Sequence, residues 1–376
     1  MKRIDFVYFE AGGGHRSAAN ALKSVIEQQE REWEVRLVNL QELLDPLDIF
    51  RKYIGIRLED VYNLSLRKGW TLGSAWILPA MHGIIRLYHR SQVRLLREFW
   101  SDPRPDMVVS VIPNFNRAMF QALAAVDPRI PYVTILTDFA DYPPHFWIER
   151  QPQYLICGTE RAVEQARKMG YPDERVFRVS GMILRPRFYE PIRVDHDCEL
   201  QKLGLRTDLP TGLVLFGGEG SSAMVDIARE IDKAGVAVQL ILICGRNEHL
   251  RARLDRLETS FPKYVEGFTS EIPRYMALSD FFIGKAGPGS ISEALAMKLP
   301  VLVVRNAFTL PQERYNADWV MEKGVGLLLP SFGKIGPAIR QLLEPSTFAR
   351  VRASAAAIEN RAVFEIPEIL DQILNR

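Results

Sequence analysis

Apolar residues fall in short runs that recur along the whole chain. Ile4–Phe9, Trp33–Leu40, Met107–Ile112, Tyr132–Thr137, Tyr154–Cys157 and Val176–Val179 form a first series. Leu213–Phe216, Val236–Ile243, Tyr264–Glu266, Asp280–Ile283, Val301–Val304 and Gly326–Leu329 form a second. Runs of this length read as strands. Helical patterns separate them, as in Ala18–Glu30, Thr159–Met169, Ala223–Ala234, Ile291–Met297 and Asn316–Glu322. The alternation predicts an α/β protein with parallel sheets, helices on both faces and right-handed crossovers.

Arg185–Pro210 interrupts the pattern with three prolines, several charges and little periodicity. It divides the chain into two doubly wound domains, expected to face each other across a cleft. The expected limits are 1–190 for the first domain and 205–345 for the second. Residues 346–376 form a helical tail, and the sequence leaves open whether it packs back on the first domain.

Composition narrows the function classes. At 376 residues, 47% hydrophobic and 25% charged, the chain is an ordinary globular one rather than a disordered one. A net charge of +2 supplies no global field, so no nucleic-acid partner is expected. Cys157, Cys198 and Cys244 are too widely spaced for a disulfide framework or a zinc site, which suits a reducing, cytoplasmic setting. The longest uncharged stretch, Gly69–Ile85, has 17 residues and contains Pro79, His82 and three glycines. That is short and broken for a membrane span, which needs ~20 mostly apolar residues.

Each domain opens with a strand that runs into glycines and then a helix. The first loop carries Gly12, Gly13, Gly14 and His15, and the second Gly217, Gly218, Glu219, Gly220, Ser221 and Ser222. Glycine lets the backbone approach a ligand closely, and a helix start offers N–H groups to an anion. Either loop alone is also consistent with a tight structural turn. A third loop, Lys285-Ala286-Gly287-Pro288-Gly289-Ser290, leads to Glu293. Ser290 and Glu293 have capping-box spacing, whereas a carboxylate at Glu293 also suits the two hydroxyls of a ribose. Gln312, Glu313 and Asn316 fit one turn at an exposed helix start, where they suit sugar hydroxyls or ordinary capping. His15, with an ordinary pKa of ~6.5, suits a general base for an acceptor alcohol. The Asp195-His196-Asp197 triplet lies in the linker and reads as solvated charge, so no metal cofactor is expected.

Residues 51–104 hold ten Lys or Arg against four Asp or Glu. Arg86, Arg90, Arg94 and Arg97 recur at helical spacing, and Trp70 and Trp76 add aromatic bulk nearby. The pattern fits a peripheral contact with an anionic membrane surface. It also fits a core helix with a solvated basic face.

These blocks together resemble glycosyltransferase family 28, and within it the monogalactosyldiacylglycerol synthases and diacylglycerol glucosyltransferases. The matching stretches are Gly12–Arg16, Thr137-Asp138, Gly181–Phe188, Gly217–Gly220, Cys244–Asn247, Gly267-Phe268, Lys285–Glu293 and Gln312-Glu313 with Asn316. The resemblance implies a GT-B fold of two Rossmann-like domains. It implies that Gly217, Gly218, Gly220 and Ser221 cradle a diphosphate, with Gly287, Gly289 and Ser290 in the second phosphate-side loop. Phe268 would frame uracil, Glu293 would hold the ribose, and Gln312, Glu313 and Asn316 would meet the hexose. His15 would be the base, Asp138 a second acidic candidate, and Gly13 and Gly14 the loop that presents His15 to the acceptor. Two departures are visible: where the diacylglycerol enzymes often carry histidine this chain has Pro143, with His145 two residues later, and residues 305–311 differ from the galactosyl enzymes.

The function expected is an inverting transfer of a hexose from a UDP-sugar to a lipid hydroxyl, diacylglycerol first, by an enzyme peripheral to the cytoplasmic face of a membrane. Another lipid or polyprenyl acceptor, a UDP-sugar epimerase of the same fold, and a non-catalytic partner subunit are the alternatives.

Overall fold

The computed structural model describes residues 1–10, 13–47, 83, 85–307 and 309–376. They divide into two units. One holds the described residues up to Pro186 together with Asn360–Arg376, and the other holds Arg187–Glu359.

The first unit is built on a six-stranded parallel sheet of β1 (Lys2–Tyr8), β2 (Trp33–Asn39), β3 (Met107–Ser110), β4 (Tyr132–Ile135), β5 (Tyr154–Cys157) and β6 (Val176–Arg178). The spatial order is β2-β1-β3-β4-β5-β6. Strands β3 and β4 are buried at every position, which is why they read as uninterrupted apolar runs rather than alternating ones. The chain reverses its direction of winding between β1 and β3. Loops leaving those two strands therefore flank a crevice at the carboxyl edge of the sheet, where open α/β sheets bind ligands.

The second unit repeats the plan with β7 (Thr211–Leu215), β8 (Gln239–Ile243), β9 (Lys263–Glu266), β10 (Phe281–Gly284), β11 (Val301–Val304) and β12 (Gly326–Leu329). Their order is β12-β11-β10-β7-β8-β9, all parallel, so the reversal falls between β7 and β10. Val214, Leu240, Leu242, Phe281 and Ile283 form its core with Met224, Ile227 and Ile231 of the helix Ala223–Ala234.

Three local readings of the sequence need correction. The second-unit strand starts at Gln239 rather than Val236, because the N–H of Val238 closes a turn onto the Val236 carbonyl at 2.9 Å. The linker is not featureless: Asp195 accepts the Cys198 N–H and starts the short helix His196–Lys202. The helix after β10 begins at Pro288, with Gly287 as its N-cap, three residues before Ile291.

The last residues belong to two different units. The helix Pro345–Ala356 stays with the second. The helix Ala362–Leu374 packs on the first-unit helix Gly14–Gln28. Glu365 accepts the Ser180 N–H at 2.7 Å, and the Asn360 amide donates to the Met182 carbonyl at 2.9 Å.

The helix His89–Ser101 carries the basic stripe. Leu96 and Trp100 bury its inner side, and the Trp100 indole donates to Asp5 on β1 at 3.0 Å. Arg36 on β2 braces the same fully buried carboxylate with bonds of 2.8 and 2.5 Å. This fixes which side of the helix faces the sheet, and Arg90, Arg94 and Arg97 are exposed on the other. Arg86, in the helical residues 85–87 just before, is exposed as well. Leu87 beside it is 78% exposed. Trp70 and Trp76 lie outside the described residues.

Candidate functional site

In the first unit the crevice holds His15. Gly13, with φ of 74°, ends the β1 loop and caps the helix that starts at Gly14. Neither glycine carries a side chain that would screen His15, the second residue of that helix. The His15 Nδ1 lies 2.7 Å from the Val111 carbonyl, in the loop after β3, and 3.2 Å from the Thr137 hydroxyl, in the loop after β4. A carbonyl only accepts, so Nδ1 carries the proton and Nε2 keeps its lone pair. His15 is half-buried. Enclosure of the ring lowers its pKa to about 4, partly offset by the bond to Val111. The imidazole is therefore neutral at physiological pH and able to take a proton.

Trp147 forms one wall. Its ring centroid lies 6.1 Å from that of His15, and its indole donates to Asp138 at 2.9 Å. Asp138, 8% exposed, is thus an anchor of this wall. The loop is organised by a residue whose role the sequence does not display. Asp141, buried, accepts the backbone N–H groups of His145 and Trp147 at 3.0 and 2.7 Å. Gln165 brackets it, accepting from the Asp141 N–H and donating to the Asp141 carbonyl. Burial pushes the Asp141 carboxyl above the usual range, against the pull of those N–H donors.

In the second unit, the loops after β7 and β10 flank the other crevice. Gly217 and Gly220 have φ of 76° and 61°. Gly245, with φ of 60°, lies so close that a Cβ on it would sit 2.2 Å from the Gly218 carbonyl oxygen. The Arg246 N–H donates to that same oxygen at 2.8 Å. Two turns are thereby locked together backbone to backbone, and the Ser221 side chain accepts the Ala223 N–H at 3.3 Å where the following helix begins. Arg246 covers the ring of Phe268 at 4.2 Å, and Phe268 is 60% exposed. Arg246 is also 3.7 Å from Glu219.

Beyond β10, Ser290 is the third residue of its helix, and its hydroxyl donates to the Gly287 carbonyl at 3.2 Å. Glu293 then falls in the second turn and is half-buried. A capping box needs its carboxylate in the first turn, so the structural reading of Glu293 offered by the sequence does not hold. Gln312, Glu313 and Asn316 share one stretch, a 3-10 turn running into a helix, but two of them face inward. Glu313 pairs with Lys285 at 2.8 Å, and Asn316, fully buried, donates to the Ala286 carbonyl at 2.9 Å. Both tie the β11 side to the β10 loop.

A family model described as "Glycosyltransferase family 28 C-terminal domain" matches residues 213–364, and one for "Monogalactosyldiacylglycerol (MGDG) synthase" matches residues 15–182. This chain is a glycosyltransferase that resembles family 28. The chloroplastic monogalactosyldiacylglycerol synthase of Spinacia oleracea is 26% identical over 100% of this chain and 73% of its own length. Among solved structures, MurG of Acinetobacter baumannii is similar with a TM-score of 0.65 at 12% identity, covering 99% of this chain and 100% of MurG. A putative UDP-N-acetylglucosamine 2-epimerase from Listeria monocytogenes reaches 0.62 at 16% identity, covering 99% and 96%. The fold is GT-B.

In this glycosyltransferase the loops gather the expected residues into two sets, one around His15 and one around Gly217–Ser221, Gly287–Glu293 and Gln312–Asn316. Val111, Thr137, Asp141, Arg246 and Lys285 join them without having been assigned a role from sequence. Thr137, Arg246 and Lys285 lie within the matched motifs and carried that signal. Among the described residues no group of three His, Cys, Asp or Glu is disposed to hold a metal ion. Among them, too, no helix is long and apolar enough to cross a membrane.

Proposed function

We propose that this glycosyltransferase moves a hexose from a UDP-sugar to a lipid hydroxyl, with diacylglycerol as the acceptor. The observation that carries the reading is His15: a neutral imidazole, tautomer fixed by Val111, at the mouth of the first sheet in a chain matched end to end by galactolipid synthases. In the proposed reaction Nε2 takes the proton of the acceptor hydroxyl. The acceptor oxygen bonds to the anomeric carbon as the bond to the UDP oxygen breaks, and configuration inverts. Negative charge grows on the departing diphosphate. The backbone N–H groups of Gly289 and Ser290, at a helix start, and the Gly217–Ser221 loop are suited to receive it. The proposal includes no metal or other cofactor.

Uracil is assigned to the exposed Phe268 and the ribose diol to Glu293. Glu293→Ala is expected to weaken UDP-hexose binding by ~10-fold, the loss of hydrogen bonds to a charged group. Equal affinity in titration calorimetry would remove Glu293 from the donor site.

The exposed arginines and Leu87 support docking on an anionic membrane at the cytoplasmic face. Replacing Arg86, Arg90 and Arg94 together with glutamine removes roughly 3 kcal/mol of surface attraction, at ~1 kcal/mol each. Sedimentation with phosphatidylglycerol vesicles is expected to fall by at least ~10-fold, while turnover on a detergent-dispersed acceptor stays within about twofold. Unchanged sedimentation would leave the stripe as a solvated helix face.

The deciding assay offers labelled UDP-galactose, UDP-glucose and UDP-N-acetylglucosamine with vesicles, with and without diacylglycerol. Label in the organic phase only with diacylglycerol supports the proposal and names the hexose. Label that stays aqueous in a changed sugar, with no acceptor needed, would establish an epimerase.

A further inference from the structure

Two features near the β10 loop remain once the proposed donor contacts are assigned: a buried carboxylate held by a lysine, and a glycine where the lysine crosses. Glu313 is 7% exposed. A carboxylate this deep needs a polar partner. Lys285 Nζ supplies one at 2.8 Å, and among the described residues no other side chain bonds to Glu313. The two residues are 28 positions apart and come from different strand ends, β10 and β11.

The path of the lysine is also specified. A Cβ on Gly287 would meet Lys285 Cε at 3.2 Å and Cγ at 3.7 Å, so the aliphatic stem lies folded over the Gly287 backbone. That backbone is buried and N-caps the helix bearing Ser290 and Glu293. Lys285 therefore touches the phosphate-side loop with its stem and Glu313 with its ammonium group. One carboxylate oxygen of Glu313 is held by Lys285, and among the described residues no side chain bonds to the other.

We infer that Lys285 is the positioning residue for hexose recognition: its ion pair, carried over Gly287, holds the Glu313 carboxylate oriented as an acceptor for the hydroxyls of the transferred hexose. This rests on the donor reading proposed above. An ionised carboxylate accepts and does not donate, so a site built this way selects sugar hydroxyls over an acceptor-only group. It also links the phosphate-side loop to the sugar, because a shift of the Gly287 backbone would move the lysine stem with it.

The test uses the full chain and compares UDP with UDP-galactose and UDP-glucose by calorimetry for wild type, Lys285→Met, Lys285→Arg, Glu313→Gln and the Lys285→Met/Glu313→Gln double variant. Lys285→Met is expected to lower affinity for the preferred UDP-hexose by ~10-fold, one charge-assisted hydrogen bond, and to leave UDP within about twofold. Lys285→Arg keeps a cation against Glu313 and is expected to lose less than about threefold. The double variant is expected to be no weaker than Glu313→Gln alone, as two residues acting through one contact require.

Equal losses for UDP and UDP-hexose in Lys285→Met would mean that the lysine serves the diphosphate, and the inference would fall. So would multiplied losses in the double variant. Should Lys285→Met not fold, Lys285→Arg decides alone: a tenfold loss of UDP-hexose affinity there overturns the ion-pair role. A wild-type protein that binds neither UDP nor any UDP-hexose would instead bring down the donor reading itself, an outcome distinct from all of these.

Discussion

Changing His15 to alanine is expected to lower turnover by ~100-fold or more and to leave UDP affinity within about twofold, because general-base catalysis contributes roughly 100- to 10,000-fold and His15 lies in the other unit from the proposed donor loops. Normal turnover by that variant would exclude His15 as the base. The pH dependence is a separate readout. With the folded pKa at about 4 instead of the ordinary 6.5, the neutral form persists well into acid, so the acid limb of kcat/KM should fall near pH 4. The same shift acts on stability. Between pH 6.5 and 4 the unfolded chain binds a proton at this histidine that the folded chain does not. Stability from this group is therefore present above the unfolded value, is lost as pH falls through that window, and levels off below it. A limb near 6.5 would mean that the ring is more open to water than its surroundings here imply.

Gly245→Ala is expected to disable the proposed donor loops more severely than Gly217→Ala. The new Cβ would meet the Gly218 carbonyl oxygen and carbon at 2.2 and 2.6 Å, and both are backbone atoms that cannot rotate away. The φ of 60° adds strain of roughly 1–3 kcal/mol for a residue with a side chain. Gly217→Ala provides the control: its φ is 76°, but nothing lies within 4 Å of the added methyl, so only the conformational cost applies. UDP affinity should fall at least ~10-fold for Gly245→Ala and less for Gly217→Ala, with melting temperatures in the same order. Equal affinities for the two variants would show that the contact between the turns is irrelevant to binding.

The inner strands were legible because both sheets are parallel and bury them on both faces, so each reads as an apolar block; the edge strands β2, β6 and β9 are only partly buried. Helix starts were less so. Pro288 reads as a breaker, yet at the first helical position its missing N–H costs nothing, and the helix begins there. Catalytic and binding candidates on glycine loops stood out because glycine and histidine are conspicuous beside a strand end. What the sequence concealed was pairing between loops. Asp141 gives no motif, since its partners are backbone N–H groups of its own loop and Gln165. Glu313 and Asn316 look like exposed sugar readers until the β10 loop is folded against them. Their roles depend on three-dimensional neighbours that no spacing rule predicts.

The chain leaves the first unit after Pro186 and returns to it at Asn360. The second unit is thus an internal insert rather than a terminal half. Cutting the polypeptide once, after residue 186, would strip the first unit of Asn360–Arg376 and uncover the apolar face of the Gly14–Gln28 helix on which Ala362–Leu374 rests. Exchanging the proposed donor unit between relatives would accordingly mean swapping one continuous cassette, Arg187–Glu359, with both flanks retained. A two-piece chimaera joined at the linker alone would carry a foreign helix on the first unit.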